Sequence, residues 1–247
     1  MQNYGLTFIS NENLFNHVKE TVLKYRFNIN LRKFNKNIID PIKLTFDSKV
    51  YDKTIEEIIE NEILRQVDKS NTNYIGYFHQ NIFQYFGNGW RVPTQGYDII
   101  NEERNIFVEM KNKHNTMNSS SSQKTYMRMQ NTLLANPQAN CYLVEVIAKN
   151  SQNITRNISL DNVPVSHQNI KRVSIDKFYE TVTGDSAAFR DLCLALPKVL
   201  DDVIVSIGDR VGENTVLQEL LELSPNLLKS IYLTSFGRYE GFNEFDI

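Results

Sequence analysis

The sequence predicts a mixed α+β protein, a central mixed sheet flanked by helices, with helical extensions at both ends. Three observations carry this reading. Apolar residues recur at helical spacing before residue 86 and after residue 176. Between Trp90 and Lys111 the period changes to two, the signature of strands. Cys141 to Ala148 is a nearly continuous apolar run, as expected of a strand buried on both faces.

The elements follow in order. Asn11 can cap a helix running to about Tyr25, with Leu14, Val18, Val22 and Leu23 on one face. A loop or short-strand region follows, broken by Pro41. Thr54 and Glu57 form a capping-box pair. They open a helix whose stripe is Ile55, Ile58, Ile59, Ile63 and Val67. A separate helix covers about Tyr74 to Phe86 and stops at Gly87-Asn88-Gly89. Trp90-Arg91-Val92 and Gly96 to Ile100 are extended, residues 101–105 form a hairpin turn, and Ile106 to Lys111 is the returning strand. A polar loop, Asn112 to Ser122, leads into a helix of about Gln123 to Leu134. Lys171 to Ile175 is a further strand after the apolar one. Helices are expected over 176–182, 185–196 and 199–207, and from about Thr215 onward. No Gly/Pro-rich linker divides the chain, so the expectation is a single domain over 1–247. Its core would be about 74–183, with extensions 1–73 and 184–247.

Composition narrows the function. The chain has 247 residues, 41% hydrophobic and 23% charged, which is ordinary for a globular domain. No apolar run reaches the roughly 18 residues of a membrane helix, and the N-terminus has neither a basic start nor an apolar h-region. The two cysteines, Cys141 and Cys193, lie far apart. That suits a reducing cytoplasm and excludes a disulfide framework or a Cys-rich zinc site. The net charge of −2 is unevenly spread. Residues 111–172 carry eight basic and two acidic residues, and 173–247 carry six and thirteen. A basic middle is a candidate surface for a polyanion.

Asp98, Glu109 and Lys111 are the positions that suggest chemistry. Side chains alternate along a strand, so Phe107, Glu109 and Lys111 share one side of the returning strand, and Ile106, Val108 and Met110 the other. The hairpin brings Asp98 near Glu109. Converging carboxylate oxygens are the ligands Mg²⁺ prefers, with water and a substrate phosphate completing its shell. A lysine ammonium alongside can orient a water or offset charge in the transition state. Gly96 would leave room for close backbone approach.

This arrangement resembles the PD-(D/E)xK nuclease superfamily, although Tyr97 stands where that motif usually has proline. The resemblance extends over Ile75 to Phe83, Gly87 to Trp90, Tyr97 to Ile99, Val108 to Ser122, Tyr142 to Val146 and Val173 to Tyr179. Over about residues 5–205 the text is similar to type II restriction endonucleases that cut the interrupted palindrome GGNCC. The resemblance implies a PD-(D/E)xK core and Mg²⁺-dependent double-strand cleavage leaving 5′-phosphate ends. It also implies a homodimer on a two-fold site, and a host methyltransferase as functional partner. Asp98 and Glu109 would be metal ligands and Lys111 the water-positioning or charge-stabilising residue. Some members add a residue from the helix before the hairpin, for which Gln80 and Glu62 are candidates.

The loop from Asn112 to Lys124 would lie against DNA. Lys113 and Lys124 can neutralise phosphates. Asn115, Thr116, Asn118, Ser119, Ser120, Ser121 and Ser122 can donate to phosphates or base edges. Lys113, Lys124, Arg128 and Arg156 are candidate guanine readers. His114 suits a phosphate or hydrogen-bond role better than that of a general base. The central base pair could be unread or read through DNA shape, leaving GGWCC open. Two other readings stay open: a repair or junction-resolving nuclease of the same superfamily, and a catalytically silent DNA-binding module. A phosphate-binding loop for ATP is missing from the sequence.

Overall fold

A computed structural model describes residues 3–114, 116–160, 162–208, 212–240, 242 and 245–247. The chain divides into two compact units, residues 1–23 with 75–207, and residues 24–74 with 208–247. Among the described residues there are nine α-helices, a 3₁₀ turn and a six-stranded sheet. None of the helices is long and apolar enough to cross a membrane.

The sheet belongs to the first unit. Its strands are β1 (Trp90–Arg91), β2 (Ile99–Asn101), β3 (Ile106–Lys113), β4 (Asn140–Ile147), β5 (Asn153–Leu160) and β6 (Val163–Ser174). Their spatial order is β1-β2-β3-β4-β6-β5. The β1/β2, β2/β3 and β5/β6 pairs are antiparallel, while β3/β4 and β4/β6 are parallel, so the expected mixed sheet is present. A parallel pair needs a crossover, and helix α5 (Ser119–Ala135) provides the one between β3 and β4.

Both sheet faces are covered. Ile106, Val108 and Met110 of β3 join Tyr142, Val144 and Val173 in the larger core. Helices α1 (Asn11–Lys24), α6 (Ile175–Thr183) and α7 (Ala188–Ile207) contribute to it, as do Phe78, Ile82, Phe83 and Trp90. Phe78, Phe83, Tyr179 and Phe178 are its large buried rings. On the opposite face Cys141, Leu143 and Ile170 pack under Tyr126, Met129 and Leu133 of α5.

The second unit has its own core. Helices α2 (Leu31–Asn35), α3 (Pro41–Val50), α8 (Val216–Leu223) and α9 (Leu227–Phe236) pack with the first part of α4 (Ile55–Asn81). Phe34, Leu44, Ile58, Ile59, Ile63, Val216, Leu220 and Ile231 are buried there. The capping box forms as expected: Thr54 N donates to Glu57 Oε2 at 2.8 Å and Glu57 N to Thr54 Oγ1 at 3.2 Å.

Five expectations need correction. The region around Pro41, expected as loop or short strand, forms helices α2 and α3, with Pro41 opening α3 and Asp40 Oδ1 accepting from Ile42 N and Lys43 N. The polar run Asp68 to Asn73 does not separate two helices, because α4 is continuous from 55 to 81. Its Asn71 side chain accepts from Arg26 N at 2.9 Å, so that polar face is engaged. Helices 185–196 and 199–207 are one helix that contains Pro197. Leu192, Ala195, Val199 and Val203 are buried along its length, and that packing offsets the hydrogen bond proline removes. Ser119 to Ser122 are the first turn of α5 rather than a loop, since Asn118 Oδ1 caps Ser121 N at 2.8 Å. The strand at 171–175 begins at Val163 and pairs with β5, an edge strand absent from the expectation.

His79 gives the fold a pH dependence. Its Nδ1 is buried and has no hydrogen-bond partner among the described residues. Burial, helped by the charge of nearby His17, pulls its pKa from 6.5 down to about 4. The unfolded chain therefore takes up a proton that the folded chain refuses. The stability at stake is complete above about pH 6.5 and is lost as pH falls toward 4, up to about 3 kcal/mol. Urea unfolding at pH 8, 6 and 4.5 should show that His79→Leu loses correspondingly less stability than wild type on acidification.

Candidate active site

The register of three adjacent strands builds the site. Phe107 of β3 lies opposite Cys141, Glu109 opposite Leu143 and Lys111 opposite Glu145 of β4. In turn Cys141 lies opposite Ile170, Leu143 opposite Arg172 and Glu145 opposite Ser174 of β6. Because alternate residues share a face, Glu109, Lys111, Glu145 and Arg172 lie on the side covered by α5.

Asp98 ends the bend before β2. Its N–H donates to Val108 O at 2.9 Å, and its Oδ2 accepts from Met110 N at 2.7 Å. These two bonds clamp Asp98 across β3 on either side of Glu109. Burial raises the Asp98 pKa, and the Glu109 charge raises it further, against the Met110 N–H, Lys111 and Arg128. Two carboxylates are thus held close enough to repel each other. Gly96 serves through its backbone: its φ is +92°, and an added Cβ would meet nothing within 4 Å. The turn's left-handed conformation is what favours glycine, and no crowding is involved.

Glu109 is only 9% exposed. Lys111 Nζ donates to its Oε1 at 2.6 Å, and Arg128 of α5 pairs with its Oε2. Arg128 also donates to Gly96 O at 2.9 Å and lies 4.7 Å over the Tyr97 ring. Tyr97 OH bonds Thr132 Oγ1 at 2.8 Å, which ties the segment before Asp98 to α5. Arg128, expected at the DNA, is therefore bound to a carboxylate of the site.

Glu145 and Arg172 were missed as functional candidates. Glu145 is 2% exposed. It contacts His114 Nδ1 at 3.0 Å and Arg172 Nη2 at 3.3 Å. Its signal in the sequence is a lone charge inside the most apolar strand; Arg172 lay in the Lys171-Arg172 pair of a strand segment.

The remaining candidates separate by burial. Lys113, Thr116, Ser119, Ser120, Ser121 and Lys124 are exposed. Asn118 is committed to the α5 cap, and Asn115 lies outside the described residues. Gln80 is half-buried near the end of α4. Glu62 belongs to the second compact unit, where Arg65 and Gln66 hold its carboxylate at 2.6 and 2.9 Å. Arg156 is 2% exposed and does not face solvent. The β5/β6 register shifts between Thr155 and Asn157, and a bulge of this kind re-aims a side chain. Its guanidinium donates to Ser122 O at 3.1 Å and Ser122 Oγ at 2.8 Å, bracing the first turn of α5.

The donor set fits a hard divalent cation. Among the described residues no three His, Cys, Asp or Glu side chains form a metal-ligating group, so an all-protein cage of the zinc type is not built. Asp98 and Glu109 offer two carboxylates whose mutual repulsion a cation would relieve. Mg²⁺ is commonly held by one or two carboxylates plus water and phosphate.

A mixed sheet of this order, flanked by helices, is consistent with a restriction-endonuclease-like core. The family model described as Eco47II restriction endonuclease matches residues 6–205. The type II restriction enzyme Sau96I of Staphylococcus aureus is 32% identical over 226 residues, 87% of each chain. The type II restriction enzyme Eco47II of Escherichia coli is 31% identical over 224 residues, 84% of this chain and 90% of that one. The chain belongs to the Eco47II restriction endonuclease family, and its enzyme class is that of the type II restriction endonucleases.

The placement of Arg156 gives a prediction. Arg156→Ala should lower the free energy of unfolding by about 2–4 kcal/mol, from lost packing and lost charged hydrogen bonds. Denaturant unfolding measures this. Unchanged stability with a loss confined to DNA affinity would contradict the bracing role.

Proposed function

We propose that this protein is a Mg²⁺-dependent type II restriction endonuclease that cuts both strands of DNA within a short palindrome. The site is GGNCC, or GGWCC if the central pair is read, and the products carry 5′ phosphates. The observation that carries the reading is the clamped Asp98/Glu109 pair with Lys111 bonded to Glu109, in a chain of this family.

Asp98 and Glu109 would hold the ion. When bound, Mg²⁺ supplies positive charge against the phosphate and lowers the pKa of coordinated water. Lys111, bonded to Glu109, would orient the attacking water or offset charge on a phosphoryl oxygen. Water attacks phosphorus in line, a new P–O bond forms and the bond to the 3′ oxygen breaks. The 3′ oxygen leaves with a proton as the hydroxyl, and the phosphate stays on the 5′ end. The exposed Lys113 and Lys124, with the serines of the first turn of α5, are the proposed DNA contacts. A two-fold sequence is matched by a homodimer, one site per strand. In a cell the enzyme would act in the cytoplasm beside a methyltransferase that protects host DNA.

Purified protein is incubated with unmethylated plasmid and phage DNA, with Mg²⁺ or EDTA, and fragment ends are sequenced. The reading predicts discrete fragments ending at GGNCC sites, lost in EDTA; intact DNA would refute it. Asp98→Ala and Lys111→Ala should each lower the cleavage rate at least about 10³-fold while DNA binding persists, on the scale of losing a charge-stabilising group. Near-wild-type cutting by either variant would overturn the site assignment.

A further inference from the structure

We propose that the cavity beside Lys111 seats a DNA backbone phosphate flanking the one that is cut, with Arg172 as its anchoring cation; this rests on the nuclease reading above. The cavity is lined by Lys111, Lys113, Thr116, Ser122, Glu145 and Arg172 among others, and neither Asp98 nor Glu109 lines it. Lys111 belongs to both places. Its ammonium holds Glu109, and its side chain forms a wall of the cavity. The cavity therefore adjoins the carboxylate pair without being part of it.

The lining selects an anion. It carries three cations against one carboxylate. That carboxylate, Glu145, is already committed to His114 and Arg172, so it acts as a buried counter-charge that fixes their orientation. Arg172 retains donors: one Nη is on Glu145, its side chain is 28% exposed, and its Nε–H has no acceptor among the described residues. Buried donors are almost always satisfied, and a phosphate oxygen is the partner that an Arg fork fits best. Ser122 Oγ accepts from Arg156, which leaves its own proton to donate. Thr116 donates to Lys113 O at 2.9 Å and helps shape the wall.

The test uses the full chain and a short duplex containing one GGNCC sequence. Each phosphate near the cut is replaced singly by a neutral methylphosphonate. Affinity is measured with Ca²⁺ in place of Mg²⁺, and cleavage of the unmodified duplex with Mg²⁺. Wild type should lose about tenfold in affinity when one phosphate flanking the scissile position is neutralised. Arg172→Ala should bind unmodified DNA about tenfold more weakly and lose nothing further at that position, with Arg172→Lys intermediate. Circular dichroism melting checks that the variants fold. If Arg172→Ala does not, Arg172→Ala/Glu145→Gln removes the uncompensated carboxylate and takes its place. Equal losses in wild type and variant, or sensitivity only at distant phosphates, overturn the inference while cleavage by wild type leaves the nuclease reading standing. Failure of wild type both to cut and to bind DNA overturns both.

Discussion

The parallel pairing of β3, β4 and β6 is the constraint on which the site depends. One sheet face changes character along the strands. At their starts it presents Phe107, Cys141 and Ile170; toward their ends it presents Glu109 with Lys111, Glu145 and Arg172. Helix α5 covers the apolar part with Tyr126, Met129 and Leu133. Ligands of open α/β sheets characteristically bind beyond the carboxyl ends of parallel strands, and here that is where the charge collects. A slip of one residue in β3 would exchange Glu109 and Lys111 for Val108 and Met110 and send charge into the larger core.

Burying charge in a sheet is costly unless each group is paired. Glu109 is met by Lys111 and Arg128, and Glu145 by His114 and Arg172. Asp98 has the Met110 N–H, yet burial and, after it, the nearby Glu109 still raise its pKa. Glu109 and Glu145 thus each have two basic partners, whereas Asp98 has a backbone donor and a second carboxylate beside it. The pairing of Asp98 with Glu109 is the basis for proposing that pair, and not Glu145, as the seat of a cation.

Much of this was legible in the sequence, and the gaps have physical causes. Alternation in Ile106 to Lys111 sorted the side chains of β3, because a strand with two covered faces must separate its charged and apolar residues. Cys141 to Ala148 read as a central strand because its apolar run is nearly continuous. The edge strand β5 was not legible, since most of its residues face solvent and no hydrophobic alternation is enforced. Helices α4 and α7 were divided at a polar run and at Pro197, local signals that tertiary packing overrides. At the site the carboxylates and Lys111 were readable, but the partners of Arg128 and Arg156 were not. One depends on α5 lying over β3, the other on a bulge in β5, and neither is encoded locally. Glu145 and Arg172 were visible as residues, yet their pairing is a product of strand order.

Asp98 and Glu109 are together the proposed seat of the metal. The most direct measurement is a crystal structure of the protein with cognate duplex and Mn²⁺, read by anomalous scattering at the manganese edge. An anomalous peak is expected within coordination distance of both the Asp98 and Glu109 carboxylates. A peak bound by other side chains, or one that contacts neither carboxylate, would contradict it.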